Sequence, residues 1–212
     1  MIALSGPRVA PANGGAADAL VVFLHGYGAD GADLIGLAPL FAQALPSAAF
    51  ASPDAPGHTP MGGREWFPLT LRDPSEYRRG AEAAAPVLQN FLDSELAHHG
   101  LGNDRLVLVG FSQGTMMSLQ VAYRRESSLA AVVGFSGALA DPTADGLKPA
   151  PTLLVHGTAD EVLPSAMTEA AVVALEAANV PVDWHLVPGL GHGIDQTGLS
   201  MAIAHVARHL GG

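Results

Sequence analysis

Short apolar runs that alternate with helical patterns constrain the fold of this chain more than any other feature. Five of these runs are continuous and mostly end at Gly, Pro or Asp, while the sixth is more alternating. They are Ala19–Leu24, Ala48–Ala51, Arg105–Val109, Ala130–Phe135, Thr152–Val155 and Val182–Val187. Continuous apolar runs with helices between them are typical of strands buried on both faces of a parallel sheet. The pattern therefore predicts an α/β fold, with a mostly parallel open sheet and helices on both faces.

Four segments are predicted to be helices. They are Tyr77–His99, Thr115–Tyr123, Ser165–Ala178 and Leu199–Leu210. Gly100 is expected to end the first of them, and Pro86 within it predicts a kink or a break. Pro and Gly recur between Pro53 and Pro74, which predicts a loop around an apolar cluster.

The composition favours one large core. Of the 212 residues, 49% are apolar and 14% charged, which is too apolar for a disordered chain. Because α/β proteins of this length usually form one domain, we expect a single domain over residues 1–212. Residues 1–18, rich in Gly, Pro and Ala, are expected to form an N-terminal arm or hairpin.

The net charge and the short apolar runs restrict the classes of molecule that the protein is expected to bind. A net charge of −10 without a basic cluster argues against nucleic acid and anionic membranes, and leaves neutral or weakly polar small molecules as the easier substrates. The apolar runs are too short to span a bilayer, and no apolar leader precedes Ala19, so we expect a cytoplasmic protein. The absence of cysteine excludes disulfides and thiolate chemistry.

Residues 110–114 read Gly-Phe-Ser-Gln-Gly, a G-x-S-x-G pattern that is weak evidence alone in a chain with 25 Gly. Its context makes it stronger, because a predicted strand leads in and a predicted helix leads out near Thr115. In such a strand–turn–helix elbow the serine takes a strained backbone conformation, and small residues two positions away relieve the crowding. We therefore predict that Ser112 is a nucleophile; the alternative is an ordinary serine in a Gly-rich turn.

A serine hydroxyl becomes a good nucleophile at neutral pH only when an adjacent base removes its proton. In folds that carry the nucleophile on such a strand–turn–helix elbow, the chain order is serine, then the acid, then the histidine. Asp160 follows the run Thr152–Val155, at the strand end where catalytic groups of open α/β sheets gather. His192 stands between two glycines after the last run. We predict that His192 is the base and that Asp160 orients it, although an Asx turn would also explain Asp160.

Other acidic and histidine side chains fit these roles less well. Glu161 is expected to point away if Asp160 points in, and Asp183 begins a strand, at the wrong end. His25 and His156 each precede Gly at a strand end and are interpreted as buried rings bonded to the backbone. Four histidines in or near helices are interpreted as surface residues: His98, His99, His205 and His209.

An oxyanion hole completes the predicted site. One donor is expected to be the N–H of Gln113, which follows the nucleophile, and the other the N–H of Tyr27, in the loop after the first run. That loop, residues 26–31, also fits the dinucleotide pattern G-x-G-x-x-G. A lone match is weak, and the nearest acidic residue at the required distance, Asp54, sits in a loop. No H-E-x-x-H pattern indicates a metal site.

Five segments together resemble the phospholipase/carboxylesterase family, which includes the acyl-protein thioesterases. They are Leu-His-Gly-Tyr-Gly at 24–28, Arg-Glu-Trp-Phe at 64–67, Gly-Phe-Ser-Gln-Gly at 110–114, His-Gly-Thr-Ala-Asp at 156–160 and Gly-His-Gly at 191–193. The resemblance runs from about Val21 to Leu210. It implies an α/β-hydrolase fold without a large lid domain, and cleavage of esters or thioesters without a cofactor. It also implies a triad of Ser112, Asp160 and His192, and leaves a homodimer open.

The substrate side departs from the family pattern. Thioesterase-like members usually carry Leu at the position of Tyr27, Asp at that of Ala29 and Asp at that of Pro68, and these changes argue against protein deacylation. We expect hydrolysis of esters with short to medium acyl chains. Acyl-protein thioesterase or lysophospholipase activity, or a catalytically silent binding protein, are the alternatives.

An apolar groove is expected to hold the acyl chain, with core packing as the alternative for each of its side chains. The predicted wall consists of Met61, Trp66, Phe67, Leu69 and Leu163.

Overall fold

The computed structural model describes residues 3–71, 73–143 and 147–211. Within these ranges the strands are β1 (Arg8–Val9), β2 (Ala19–Leu24), β3 (Ala48–Ala51), β4 (Gly57–His58), β5 (Arg64–Glu65), β6 (Leu106–Phe111), β7 (Ala131–Phe135), β8 (Thr152–Gly157) and β9 (Val182–Val187). Seven of them form one sheet in the order β1-β3-β2-β6-β7-β8-β9, parallel except for β1, and β4 and β5 form a separate antiparallel hairpin. The predicted mostly parallel sheet is confirmed.

Helices cover both faces of this sheet. The α-helices are α1 (Gly31–Leu34), α2 (Ala38–Ala44), α3 (Pro74–His99), α4 (Gln113–Ala122), α5 (Ala166–Ala177) and α6 (Gln196–Leu210). Alternate strand residues enter two separate cores: Leu20 and Leu108 pack with α3, α4 and α5, while Val21 and Val109 pack with α2 and α6. The central strands are therefore buried on both faces, as continuous apolar runs predict.

The longest helix ends at His99 as predicted, begins at Pro74, three residues before the predicted start, and does not break. The Asp73 carboxylate caps α3 by accepting the N–H of Glu76, and Gly100 ends it with φ 68°, a conformation that favours glycine. The helix is continuous through Pro86, so the predicted break there is wrong. Packing of α3 against the sheet and α4, which buries side chains on both sides of Pro86, maintains the helix across it.

Two short helices between β2 and β3 were not predicted. Helix α1 has only four residues and depends on the Asp30 side chain, which accepts the N–H of Ala32. Helix α2 buries only Ala38 and Phe41. Neither segment is long enough to display a repeating apolar stripe, so hydrophobic periodicity does not reveal these helices.

The first residues lie along the edge of the sheet. Strand β1 pairs antiparallel with β3, and the Arg8 guanidinium forms hydrogen bonds of 2.6 and 2.9 Å to the buried Glu95 carboxylate of α3. Met1 and Ile2 of the predicted arm lie outside the described residues, and the single domain over 1–212 stays a prediction. Among the described residues, the connection between β3 and α3 holds only the β4–β5 hairpin and no lid domain.

The surface prediction for His205 is wrong. Its side chain is buried, and Nε2 donates to the Pro151 carbonyl. Ala202, His205 and Val206 are spaced three and four residues along α6, so they share the face that packs on the sheet. None of the described helices is long and apolar enough to cross a membrane.

Candidate active site

Ser112 lies in a sharp turn between β6 and α4. Its backbone has φ 55° and ψ −116°, a strained conformation for a residue other than glycine. A Cβ added to Gly114 would overlap the Leu24 carbonyl oxygen, and one added to Gly110 would overlap the backbone of Gly114. Both glycines of the motif are therefore required for the close approach of β6, α4 and β2. The predicted elbow is present.

His192 and Asp160 lie at the neighbouring strand ends, after β9 and β8. His192 Nδ1 is 2.7 Å from Asp160 Oδ2, and the Asp160 side chain is fully buried. Asp160 Oδ1 accepts the N–H groups of Val162 and Leu163 at 2.8 and 2.9 Å. Burial alone would raise the pKa of the Asp160 carboxyl, but the hydrogen bonds from Leu163, His192 and Val162 outweigh it and hold that pKa below its usual value. The acid is therefore ionised at neutral pH.

Backbone hydrogen bonds tie these two loops together. The N–H of Thr158 donates to Val187 at 3.0 Å, and the N–H of Ala159 donates to Leu190 at 2.9 Å. A Cβ on Gly157 would overlap the Leu190 carbonyl oxygen, so only glycine lets the His192 loop pack this closely on β8. The rival acids lie elsewhere: Glu161 is exposed, and Asp183 pairs with Arg208 at 2.9 Å.

The loop after β2 faces Ser112 from the other side. Tyr27 and Gln113 line the same cavity as Ser112 and His192. The N–H of Gln113, the first residue of α4, has no acceptor within the helix. The loop is fixed by the hairpin, because Gly28 N–H donates to the Arg64 carbonyl and Arg64 N–H donates to the Ala29 carbonyl, both at 2.8 Å.

The side chain of Gln113 has a second role that the sequence did not indicate. Its Oε1 accepts the N–H of Trp66 at 2.9 Å, and its Nε2 donates to the Phe67 carbonyl at 2.7 Å. Trp66 Nε1 donates in turn to the His25 carbonyl at 3.0 Å. The residue after the elbow serine thus clamps the backbone of the segment that follows β5.

Two of the five residues predicted to wall the acyl groove line the cavity beside Ser112. This cavity measures about 270 Å³, and Leu69 and Leu163 are part of its wall. The other three assignments are wrong. Trp66 and Phe67 are buried in the core, where they support the Gln113 clamp, and the Met61 side chain is 99% exposed at the tip of the hairpin.

Further lining residues were missed. They are Phe111, Tyr77, Met116 and Val162. Met116 lies four residues after Ser112, one helical turn along α4, and this spacing was the available signal. Tyr77 belongs to the apolar stripe of α3, so the sequence pattern does not distinguish it from a residue of the hydrophobic core. It also lines a second apolar cavity of about 660 Å³ between the start of α3, α5 and Leu139.

The structure also shows where the other histidines and the glycine-rich loop of the sequence analysis lie. His25 is a buried ring that contacts the Gly26 carbonyl and accepts the N–H of Ala55, as interpreted from the sequence. The G-x-G-x-x-G loop leads into the four-residue helix α1, whose Ala32 N–H is taken by Asp30, which leaves a poor phosphate site. Within the described ranges, no group of three or more His, Asp or Glu side chains is placed to hold a metal ion.

Comparison with known proteins gives a consistent result. Residues 7–210 match the model of the family described as Phospholipase/Carboxylesterase. Esterase YpfH of Escherichia coli K12 is 29% identical over 90% of this chain and 82% of its own length, and acyl-protein thioesterase 1 of Gibberella zeae is 28% identical over 89% and 91%. The crystal structure of esterase PE8 is 39% identical, covers 98% of this chain and 99% of its own, and superposes with a TM-score of 0.94.

Proposed function

Because this chain belongs to the phospholipase/carboxylesterase family of serine hydrolases, with the α/β-hydrolase fold, we propose that Ser112, His192 and Asp160 are its catalytic triad. The observation that carries the proposal is the 2.7 Å contact between His192 Nδ1 and the buried Asp160 carboxylate, at the rim of the cavity that holds the strained Ser112. The elbow supplies the nucleophile, and the two strand-end loops supply a base of fixed orientation.

The hydrogen bonds determine which nitrogen of His192 acts as base. The ionised Asp160 carboxylate can only accept, so Nδ1 carries the proton and Nε2 has the free lone pair. Nε2 removes the proton of Ser112 Oγ as the oxygen attacks the ester carbonyl carbon. Asp160 stabilises the imidazolium that forms, without taking its proton.

The remaining steps return the enzyme to its starting state. The N–H groups of Tyr27 and Gln113 bind the oxyanion of the tetrahedral intermediate, each contributing roughly 10²–10³ in rate. His192 then gives its proton to the departing alcohol, which leaves an acyl ester on Ser112. Water attacks this ester, again with His192 as base, and the products are one carboxylic acid and one alcohol.

We propose short to medium acyl esters of small molecules as substrates. The cavity of about 270 Å³ falls just below the usual range of roughly 300–1,000 Å³ for drug-sized ligands. Leu69, Met116 and Leu163 give it an apolar wall suited to an acyl chain. Thioesters are the second candidate, because relatives carry that activity in their names. The homodimer and the cytoplasmic location stay predictions.

Ser112→Ala tests the assignment. We expect kcat for p-nitrophenyl butyrate to fall by roughly 10⁶-fold, because the variant has no nucleophile. A fluorophosphonate probe should label the wild-type protein and leave Ser112→Ala unlabelled, while Ser118→Ala, a buried serine further along α4, should label as wild type. Labelling of Ser112→Ala, or no labelling of the wild type, would reject the triad, and the second result would favour a silent binding protein.

A further inference from the structure

A buried histidine outside the triad contacts the acid of the triad. His156, the next-to-last residue of β8, places Nε2 3.0 Å from Asp160 Oδ2, and both side chains are fully buried. The same oxygen is 2.7 Å from His192 Nδ1. Among the described residues, these two rings are the ionisable groups within ion-pair distance of the Asp160 carboxylate.

The partners of His156 determine where its ring carries the proton. Nε2 also lies 2.9 Å from the Leu163 carbonyl oxygen, and Nδ1 lies 2.7 Å from Thr168 Oγ1. A carbonyl and an ionised carboxylate only accept hydrogen bonds, so Nε2 must be the protonated nitrogen. In the neutral ring Nδ1 then accepts the Thr168 hydroxyl proton. The His156 ring is therefore held at both nitrogens, with its Nε2–H donated to Leu163 and Nε2 itself 3.0 Å from Asp160 Oδ2.

The same ring also braces the carboxylate of the acid. Oδ1 receives the N–H groups of Val162 and Leu163, Oδ2 accepts the Nδ1–H of His192, and the His156 Nε2 nitrogen lies 3.0 Å from Oδ2. Because His156 donates to the carbonyl of Leu163, whose own N–H binds Oδ1, the ring fixes the turn that sets the rotation of the carboxylate. A side chain that only filled space would supply neither this hydrogen bond nor a polar ring edge beside the charged oxygen.

We propose that His156 is a positioning residue for the acid of the triad, which holds the Asp160 carboxylate in place and takes up part of its negative charge. The inference rests on the proposed function, since it assigns a role in orienting His192. His156 touches neither the ester nor Ser112 and acts through Asp160 alone.

The effect of His156 on the charge of Asp160 predicts the direction in which the pH profile of the reaction shifts when His156 is replaced. Without the His156 N–H, Asp160 Oδ2 keeps more negative charge for His192, which stabilises the imidazolium and favours protonation of the base. The acid limb of the pH profile of kcat/KM, where the base becomes protonated, should then move to higher pH, by roughly half a unit. Loss of the fixed rotation should also lower kcat by roughly tenfold, with little change in KM.

His156→Leu and His156→Gln separate positioning from packing. Leucine fills the site without a donor, whereas the Gln Nε2 amide places an N–H near the position of His Nε2. With p-nitrophenyl butyrate between pH 5 and 9, we expect His156→Leu to show the raised acid limb and the lower kcat, and His156→Gln to return both toward wild type. Thr168→Val removes a partner of the ring but leaves the Nε2–H, so its acid limb should match that of the wild type.

A measurement on the wild-type protein covers the case in which His156→Leu does not fold. Long-range ¹H–¹⁵N correlation spectra report the tautomer of each histidine, and we expect His156 protonated at Nε2. A ring protonated only at Nδ1, or a folded His156→Leu variant with an unmoved or lowered acid limb, would overturn the inference. Failure of the proposed function itself is distinguished by Ser112→Ala, which would then retain activity.

Discussion

Two regions that flank Ser112 are built in different ways. On the reaction side, the loops after β8 and β9 hold Asp160 fully buried, with two backbone N–H groups on one carboxylate oxygen and the His192 ring on the other. On the substrate side, the segment of residues 57–71 is a short hairpin and a loop, in which the Met61 and Leu71 side chains are 99% and 68% exposed. Groups that transfer protons are fixed by buried hydrogen bonds at strand ends, while the wall of the cavity is formed by apolar side chains from a loop and helices.

The two regions meet at one residue. Gln113 lines the cavity beside Ser112, where its backbone N–H is the proposed oxyanion donor, and its side chain clamps Trp66 and Phe67 at the start of the loop that carries Leu69. Among the described residues, Gln113 is the elbow residue whose side chain forms hydrogen bonds to this segment, so we expect changes beyond Phe67 to leave the reacting groups in place. Changes on the reaction side should accordingly affect every substrate, and changes on the substrate side should affect some.

Of the substitutions that compare the two regions, Asp160→Asn is expected to have the largest effect. The amide can keep the hydrogen bonds from Val162 and Leu163 at its oxygen, but its NH₂ group then faces the Nδ1–H of His192, which is also a donor. His192 is expected to adopt the other tautomer, which places a proton on the nitrogen that should act as base. We expect kcat to fall by roughly 10⁴-fold for all acyl chain lengths alike, measured with a series of p-nitrophenyl esters.

Glu161→Gln is the matched control for this change. It also converts an acid to an amide, at the next residue, but the Glu161 side chain is exposed. We expect kcat/KM within about twofold of wild type, as is usual for surface substitutions. A large loss in Glu161→Gln, or a loss in Asp160→Asn confined to long acyl chains, would contradict the division between the two regions.

The reaction side was the more predictable from sequence, for a physical reason. The buried strands β2 and β3 begin and end where the apolar runs do, because a strand buried on both faces tolerates few polar residues. Strand β9 also matches its run, although it is a partly exposed edge strand. The carboxyl ends of β6, β8 and β9 meet at one edge of the sheet, so Ser112, Asp160 and His192 could be brought together from chain order alone. What the sequence could not show is that the His156 ring lies 3.0 Å from the Asp160 carboxylate, since that contact depends on the rotation of a ring.

The substrate side was less predictable, because apolar residues in a loop carry no periodic signal. Trp66 and Phe67 are as apolar as Leu69, yet they enter the core while Leu69 lines the cavity. The difference arises from the Gln113 clamp, which fixes the backbone at 66–67 and is invisible in a hydropathy pattern. Tyr77 was missed because it does follow a periodic pattern. It fits the apolar stripe of α3, which indicates a core residue, and only the structure shows that it also lines two cavities.

Tyr77→Ala should give the next largest effect, confined to the substrate side. Tyr77 lines both the cavity beside Ser112, of about 270 Å³, and the second apolar cavity, of about 660 Å³. Removal of its ring is expected to let longer acyl chains extend from the first cavity into the second. Relative to the wild type, we expect kcat/KM for p-nitrophenyl decanoate to rise roughly tenfold when compared with butyrate. Each buried methylene contributes about 0.8 kcal/mol, and ordering of the acyl chain offsets part of this gain.

The control keeps the ring and removes the hydroxyl. Tyr77→Phe retains the volume that lies between the two cavities, so its chain-length profile should match that of the wild type. The thermal midpoint of both variants shows whether loss of a buried ring has destabilised α3. A folded Tyr77→Ala protein with an unchanged profile would mean that the second cavity does not receive the acyl chain.

Met61→Ser should have the smallest effect. It tests the sequence-based prediction that Met61 forms part of the wall of the acyl groove. A residue that walled an acyl groove would bury its side chain, whereas Met61 is almost fully exposed at the hairpin tip. Leu69→Ala is its matched comparison, because Leu69 lies in the same segment but lines the cavity. We expect Met61→Ser to keep kcat/KM within about twofold of wild type at every chain length, and Leu69→Ala to lose activity most on longer chains. A chain-length effect of Met61→Ser as large as that of Leu69→Ala would require the hairpin to fold over the cavity when substrate binds, and the substrate side would then be a moving part rather than a fixed wall.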